Sequence, residues 1–510
     1  MATFVSYLMH PRIRFSISVI LAVLFLWLFY RQSPGLNYGV FGFAVAVATF
    51  WLRRNEPRGL LYWCSTGLVM GLSFAVAWHG ETWSFVMLGL SAFVLSGSAI
   101  VPLVPDVFAS MKEAFANLFL AQQNFFSMRK GSVPGKRRFS VTRALMIYGI
   151  PFLIILLFLT FYRGSNPLFD GWIRTVLDKL GNLTDYLNLT AILVFLLGLF
   201  ISNLYIQSLP DENAMKIWLQ KPVNMVRKPF RRRYRREGLH RNLLVEYKAA
   251  MFLIVSLNVL LLLLNISDFK LVWLGFTWSG QLLKSFVHEG TWYLIASILI
   301  AAGTILFYFR GNLNFLARAE GLKWMVYLWL FQNFFLACSV AVRNYRYIEH
   351  YGLAYRRIGV IFFLLAILLG LIWVFLKVHR KEALQTLVSR LSVTGFAVLA
   401  VSGLPDWSGI ITSYNLEHYK KSYVHMEFLA EMPDHVLPVL KKWEPMLGQI
   451  RIEQEQRKFR FSDTINGKTF SAVLQERIDR FRRDWPKKHW QEWSLEDSRA
   501  WWELQTLSEK

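Results

Sequence analysis

The sequence predicts an all-α polytopic transmembrane helix bundle of about eleven spans, with a small helical C-terminal extramembrane domain. Its 510 residues are 55% hydrophobic, and the mean hydropathy of +0.34 is too high for a soluble protein of this length. The apolar residues form long runs near the roughly 20 residues that a helix needs to cross a bilayer. The chain also has 57 Lys and Arg against 33 Asp and Glu, and this excess lies in its apolar part, which is typical of a membrane protein with basic cytoplasmic loops.

Eleven apolar runs qualify as transmembrane spans. The second is short, and the eleventh is weak because Arg390 interrupts it. The predicted spans are residues 13–30, 38–52, 60–78, 83–101, 142–162, 189–207, 248–265, 291–309, 322–342, 358–377 and 384–404. Between the fourth and fifth, residues 106–127 place apolar side chains at helical spacing, which predicts a helix lying along the membrane surface.

The charges of the connections predict the orientation. Basic residues gather in the even-numbered connections, such as Arg53, Arg54 and Arg58 in the second, whereas the ninth is the one odd-numbered connection rich in arginine. Because basic loops stay in the cytoplasm, the N-terminus is predicted to be cytoplasmic. Eleven spans then put the C-terminal tail in the periplasm, and loss of the weak eleventh span would put it in the cytoplasm.

Composition divides the chain into three predicted parts. Residues 1–243 hold the N-terminal spans, the surface helix and the basic loops, and residues 244–404 form a second group of spans. Residues 405–510 form a tail that is rich in tryptophan and contains 17 basic and 17 acidic residues. A tail of this size is long enough for a small helical domain.

Motifs for known chemistry are absent from the sequence. His288-Glu289 lacks the second histidine of a zinc protease helix, and no glycine-rich phosphate loop or nucleophile elbow occurs. Cys64 and Cys338 both lie in apolar runs, which excludes a disulfide framework and a cysteine zinc site. The sequence therefore predicts no catalytic residue, no metal and no cofactor.

A cluster of polar residues between the eighth and tenth spans is the candidate ligand-binding site. Polar groups at membrane depth are costly, so such a concentration is a hypothesis of function. The alternative is that these residues tie three helix ends together through buried hydrogen bonds and ion pairs, such as Arg346 with Glu349. The candidates are His288, Glu289, Gln332, Asn333, Arg343, Arg346, Tyr347, Glu349, Tyr351 and Arg357.

A basic run beside the seventh span is the candidate lipid contact. Each Lys or Arg near an anionic membrane surface contributes about 1 kcal/mol of attraction, so acidic headgroups explain the run more simply than a nucleic acid does. We therefore expect a bilayer with anionic headgroups as a partner, and no nucleic acid. The candidate headgroup ligands are Arg231, Arg232, Arg233, Arg235 and Arg236.

Several strings in the second half of the chain, from about Leu244 to the C-terminus, are specific enough to compare with a family. These strings are His288-Glu289-Gly290-Thr291, Phe309-Arg310-Gly311-Asn312-Leu313, Gln332-Asn333, residues 343–348, residues 351–359, Tyr414-Asn415-Leu416, Phe428-Leu429 and residues 433–440. They resemble a bacterial membrane family catalogued as domain of unknown function 4173, in its Bacteroidota-type members. The resemblance implies a fold and a bacterial inner-membrane location, but no activity.

These observations favour a non-catalytic envelope sensor or scaffold, whose polar cluster receives a small ligand or contacts the tail or another envelope protein. One alternative is a transporter of an anionic substrate that binds Arg343, Arg346 and Arg357. A less favoured alternative is a membrane enzyme that acts on lipid-linked intermediates with Glu289 or Glu349 as its base, because neither carboxylate has an evident acid–base partner.

Overall fold

The computed structural model describes residues 11–128, 171, 172, 175, 189–225, 236–274, 280–309, 312–316, 319–456 and 467–508. Within these residues the backbone is helical or forms turns, and its β pairing is limited to an isolated bridge between Asn224 and Glu382. The prediction of an all-α helix bundle is thereby confirmed.

The described helices are numbered here in chain order. The first seven are α1 (Pro11–Phe29), α2 (Leu36–Leu52), α3 (Leu60–His79), α4 (Thr82–Ile100), α5 (Val107–Met128), α6 (Leu189–Ile206) and α7 (Glu212–Leu219). The next five are α8 (Arg236–Asp268), α9 (Gly280–Tyr308), α10 (Ala319–Tyr351), α11 (Tyr355–Arg380) and α12 (Leu384–Val401). The tail contains α13 (Trp407–Glu417), α14 (Met426–Ala430), α15 (Leu437–Trp443), α16 (Leu447–Gln456), α17 (Gly467–Asp484) and α18 (Leu495–Ser508).

Seven of the described helices are long and apolar enough to cross a membrane, namely α1, α3, α4, α8, α10, α11 and α12, and α2, α6 and α9 hold shorter apolar segments. Ten of the predicted spans fall on these helices, and the span predicted over residues 142–162 lies outside the described residues. The total of eleven therefore stays a prediction. Apolar side chains lie on both the exposed and the buried side of α8, where Phe252 is 77% exposed and Ile254 is fully buried, as expected of a helix that faces lipid.

The chain folds as two compact units. One contains Met1–Trp218 and His489–Ser494, and the other contains Leu219–Lys488 and Leu495–Lys510. A short segment of the tail thus belongs to the N-terminal unit. The division into three parts at residues 243 and 404 stays a prediction.

Two buried arginines hold one end of the N-terminal unit. The Arg14 Nε donates to the Ile206 carbonyl at 2.8 Å, and the Arg53 Nη2 donates to the Ser208 carbonyl at 2.6 Å. Arg53 also pairs with the buried Glu56 at 3.2 Å. Because the last carbonyls of a helix carry partial negative charge and lack helical partners, a guanidinium satisfies them well. These arginines therefore join the start of α1 and the end of α2 to the end of α6.

The opposite end of this unit receives the tail segment His489–Ser494. The backbone N–H of Leu36 donates to the Trp493 carbonyl at 2.8 Å, and the Gln491 Nε2 donates to the Trp27 carbonyl at 2.9 Å. These bonds lie where α1 ends and α2 begins. Trp493 is thus in a helix-end contact and not in the core of the tail.

Helix α5 packs against the last turns of α6 through amide side chains. The Gln122 Nε2 donates to the Phe200 carbonyl at 2.9 Å, and the Asn203 Nδ2 donates to Gln122 Oε1 at 2.8 Å. The amphipathic stretch predicted over residues 106–127 is therefore a helix with its amides turned toward α6. Its position along a membrane surface stays a prediction.

A polar seam joins α8 and α10 in the C-terminal unit. The Gln332 Nε2 donates to Asn258 Oδ1 at 2.8 Å, and the Asn265 Nδ2 donates to the Gln332 carbonyl at 3.2 Å. At the end of the seam, Arg343 forms an ion pair with Asp268, and both side chains are almost fully buried. Amides that pair across helices fix the register of the two helices without exposing polar groups to lipid.

Arg390, which makes the eleventh span weak, is accommodated by two neighbours. Its Nη1 lies 2.7 Å from Glu382 Oε2, and its guanidinium carbon lies 4.9 Å from the centre of the Trp373 ring. Glu382 just precedes α12, so the arginine reaches back toward the helix end. Neutralisation by a carboxylate explains how an apolar helix tolerates this charge.

The tail has its own apolar core, which α11 borders. Ile411, Leu429, Leu440 and Ile478 are among its buried members, and Trp485 is its buried tryptophan. The prediction that the tail is a small helical domain agrees with this packing, because each of its helices contributes an apolar face.

We predict that Arg343→Ala destabilises the protein far more than Arg346→Ala. Removing Arg343 leaves Asp268 charged and buried, which costs about 3–5 kcal/mol. Arg346 pairs with Glu349 at 3.2 Å, but both side chains are more than 40% exposed, so its loss costs about 1 kcal/mol or less. Thermal unfolding of the two variants in one mild detergent measures this difference, and equal shifts would contradict the assignment.

Candidate functional site

The turn between α10 and α11 is only three residues long. Residues 343–357 separate the ninth and tenth predicted spans, and most of them are helical, because α10 continues to Tyr351 and α11 begins at Tyr355. Gly352 directly follows the last residue of α10, and its φ of +78° is a left-handed conformation that suits glycine. The Gly352 N–H donates to the Ile348 carbonyl at 2.8 Å, as at many glycine-terminated helix ends.

The tail docks on this turn through one amide side chain. The Leu353 N–H donates to Asn415 Oδ1 at 2.6 Å, and the Asn415 Nδ2 donates back to the Leu353 carbonyl at 2.9 Å. The Tyr423 N–H also donates to the His350 carbonyl at 2.8 Å. The tail thus satisfies backbone groups that the end of α10 leaves without helical partners.

A cleft of about 420 Å³ lies where these elements meet, and we call it the junction cleft. One wall comes from the end of α10, the turn and the start of α11, and the other comes from α13, α14 and the residues around them. This volume lies within the range of about 300–1,000 Å³ that small-molecule sites occupy. Its lining residues are Tyr347, Tyr351, Leu353, Ala354, Arg357, Asn415, Tyr423, His425, Glu427, Phe428 and Glu431.

Arg357 stabilises the turn between α10 and α11. Its Nη1 donates to the Tyr351 carbonyl at 2.8 Å and also to the Gly352 carbonyl, and its guanidinium carbon lies 4.4 Å from the centre of the Tyr347 ring. The Tyr347 and Tyr351 rings are themselves 4.7 Å apart. The positive charge is therefore shared between helix-end carbonyls and an aromatic face.

The opposite wall carries the acidic groups of the cleft. Glu427 is half-buried and Glu431 is exposed, and both follow a histidine that organises the backbone. The His425 Nδ1 accepts the Phe428 N–H at 3.0 Å and caps α14. A short capped helix thus holds Glu427 on the wall of the cleft.

The structure brings Tyr347, Tyr351 and Arg357 together in the junction cleft, but it places five other predicted site residues elsewhere. Gln332 and Arg343 belong to the polar seam, and the Asn333 Nδ2 donates to the Trp329 carbonyl at 2.7 Å. Arg346 and Glu349 form an ion pair as the sequence suggested, but the pair is exposed and lies within α10 instead of joining buried helix ends.

Other predicted site residues cannot be placed in the same way. His288 and Glu289 lie within α9, and their side chains are outside the described part of the structure. Of the candidate headgroup ligands, Arg231, Arg232, Arg233 and Arg235 lie outside the described residues, and Arg236 is the first residue of α8.

Sequence reasoning missed the tail residues of the cleft, namely Asn415, Tyr423, His425, Glu427, Phe428 and Glu431. They lie 61 or more positions after the turn in sequence, so no local pattern links them to it. A partial signal exists in the strings 414–416 and 428–429, which carry part of the resemblance and which contain or adjoin cleft residues.

A second polar group in the tail consists of Asp406, Ser408 and His435. The His435 Nε2 lies 2.9 Å from Ser408 Oγ and 3.1 Å from Asp406 Oδ1, and Ser408 Oγ donates to the same carboxylate at 2.9 Å. A nucleophilic triad instead places the serine and the carboxylate on different ring nitrogens. The arrangement is therefore that of a helix cap, in which Asp406 also accepts the Gly409 N–H at 3.0 Å.

The environment of Asp406 agrees with a structural cap. Burial raises the pKa of its carboxyl, but the hydrogen bond and charge of His435, together with the bonds from Gly409 and Ser408, outweigh burial and lower that pKa to about 2. The carboxylate is therefore charged at neutral pH and holds the start of α13.

Comparison with known proteins gives a family but no activity. A family model described as Domain of unknown function (DUF4153) matches residues 19–442, which is most of the chain. The resemblance suggested number 4173, and this number is corrected to 4153, whereas the broader expectation of a family of unknown function is confirmed. No curated protein and no solved structure matches the chain.

We predict that Gly352→Ala loosens the tail from the turn. A Cβ at this position would lie 2.4 Å from Asn415 Oδ1, and the left-handed backbone adds a cost of about 1–2 kcal/mol. The matched control is Gly359→Ala within α11, where a Cβ meets no atom within 4 Å and alanine favours the helix.

Hydrogen exchange of the backbone around residues 415–424 measures the effect. We expect faster exchange in Gly352→Ala than in the control, because the tail loses its amide bonds to the turn. Unchanged exchange in both variants would show that Asn415 does not hold the tail in place.

Proposed function

Because the chain belongs to the DUF4153 family, whose description assigns no activity, we propose a function from the junction cleft: the protein is a non-catalytic sensor or scaffold of the bacterial envelope. Its apolar helices make it a membrane protein. We place it in the bacterial inner membrane, with the N-terminus in the cytoplasm and the tail in the periplasm.

The observation that carries the proposal is the shared construction of the junction cleft. Tyr347 and Arg357 come from helices long and apolar enough to span a membrane, whereas Tyr423 and Glu427 come from the tail. A ligand in the cleft contacts both parts and therefore stabilises the arrangement in which they meet. Such coupling between an extramembrane domain and membrane helices is what a sensor requires.

The three arginines of the predicted site already have partners within the protein, and this supports the sensor or scaffold function over anion transport. Arg343 pairs with Asp268, Arg346 pairs with Glu349, and Arg357 donates to backbone carbonyls. A transporter that recognises an anion needs a guanidinium directed at its substrate. We give these three arginines structural roles instead.

The two ends of the N-terminal unit support the proposed orientation. The arginine-rich connection with Arg53, Arg54 and Arg58 lies at the end where α2 finishes, and the positive-inside rule assigns this end to the cytoplasm. The tail segment His489–Ser494 binds at the other end, beside Leu36. We assign that end, and with it the tail, to the periplasm. We also propose that Arg231–Arg236 contact anionic headgroups at the cytoplasmic surface.

Labelling of single cysteines in whole cells tests the orientation. In a chain with Cys64 and Cys338 replaced by serine, Glu431→Cys puts a thiol at an exposed position of the cleft, and the control Arg54→Cys puts one in the basic connection. We expect a thiol reagent that cannot cross the inner membrane to label Glu431→Cys in whole cells. The same reagent should label Arg54→Cys only after the cells are lysed. The reverse pattern would overturn the proposed orientation.

Complementation tests the function. Asn415→Ala removes the bonds between tail and turn, so we expect it to fail to restore the envelope integrity of a deletion strain although the protein accumulates normally. The control Asn213→Ala changes an exposed asparagine of α7 and should complement. Full complementation by Asn415→Ala, or uptake of an anionic substrate by proteoliposomes, would overturn the proposal.

A further inference from the structure

The charge of the junction cleft does not suit the anionic substrate that the transporter alternative requires. The expected site contains three arginines, but of these only Arg357 lines the cleft, beside the carboxylates of Glu427 and Glu431. The Arg357 charge is already directed at the Tyr351 and Gly352 carbonyls. The lining thus holds two carboxylates and one guanidinium, and this excess of negative charge attracts cations and repels anions.

Aromatic rings form much of the remaining surface. Tyr347, Tyr351, Tyr423 and Phe428 all line the cleft, and the position of Arg357 over the Tyr347 ring shows that a cation already occupies one ring face there. Aromatic faces attract cations through their quadrupole, and quaternary ammonium groups are recognised in this way. Rings and carboxylates together form a surface suited to an organic cation.

We infer that the junction cleft binds a small molecule that carries a protonated amine or a quaternary ammonium group. This inference rests on the proposed function, because it names the ligand class of the same site. Glu427 and Glu431 supply the counter-charge, and the tyrosine and phenylalanine rings surround the alkyl part of the cation. Arg357 acts as a positioning residue that fixes the turn and the Tyr347 ring.

Calorimetric titration of the full chain in a non-ionic detergent tests the inference. The probes are choline and 1,4-diaminobutane as cations, with acetate and inorganic phosphate as anions. We expect heat of binding from at least one cation and none from either anion. The double variant Glu427→Gln/Glu431→Gln should bind that cation at least tenfold more weakly, and the control Glu503→Gln, which changes an exposed carboxylate of α18, should bind it as the wild type does.

Thermal unfolding of each variant separates loss of binding from loss of fold. If the double variant is unstable, the titration is repeated with Glu431→Gln alone, because this exposed side chain can be changed without disturbing the core. Binding of acetate or phosphate but not of the cations, or equal cation binding by wild type and double variant, would overturn the inference. Neither result affects the complementation by Asn415→Ala, so failure of the ligand class is distinguishable from failure of the proposed function.

Discussion

The structure depends on the requirement that a charge inside an apolar helix bundle has a partner within the protein. Arg343 meets this requirement with Asp268, Arg390 meets it with Glu382, and Arg14 meets it with helix-end carbonyls. An unpaired ion in such surroundings costs several kcal/mol, so each pairing also fixes which helices are neighbours. The buried charges thus act as connections between helix ends and not as exposed binding groups.

This requirement determines the character of the junction cleft. Arg357 donates to the Tyr351 and Gly352 carbonyls, so the guanidinium that lines the cleft together with Glu427 and Glu431 is already hydrogen-bonded. Had the arginines of α10 turned into the same space, the site would be an anion site. Their use in holding helices together leaves carboxylates and aromatic rings as the groups that can face a ligand.

Docking of the tail follows from the way in which α10 ends. A left-handed glycine stops the helix and leaves the Leu353 backbone groups available, and the Asn415 amide satisfies both of them at once. A helix end that needs partners and a side chain with one donor and one acceptor are complementary. Membrane helices and tail therefore build one site although each has its own apolar core.

By itself the sequence determined the all-α class and the positions of ten apolar helices, because a span needs about 20 apolar residues in a row and this length is visible locally. It also gave Tyr347, Tyr351 and Arg357 as candidate site residues, since polar side chains stand out among apolar spans. Only the tertiary structure decided that Arg343 pairs with Asp268, and that Asn415, 62 residues from Leu353, completes the cleft. Such pairings depend on how helices pack, and helical periodicity within one segment carries no information about its distant partner.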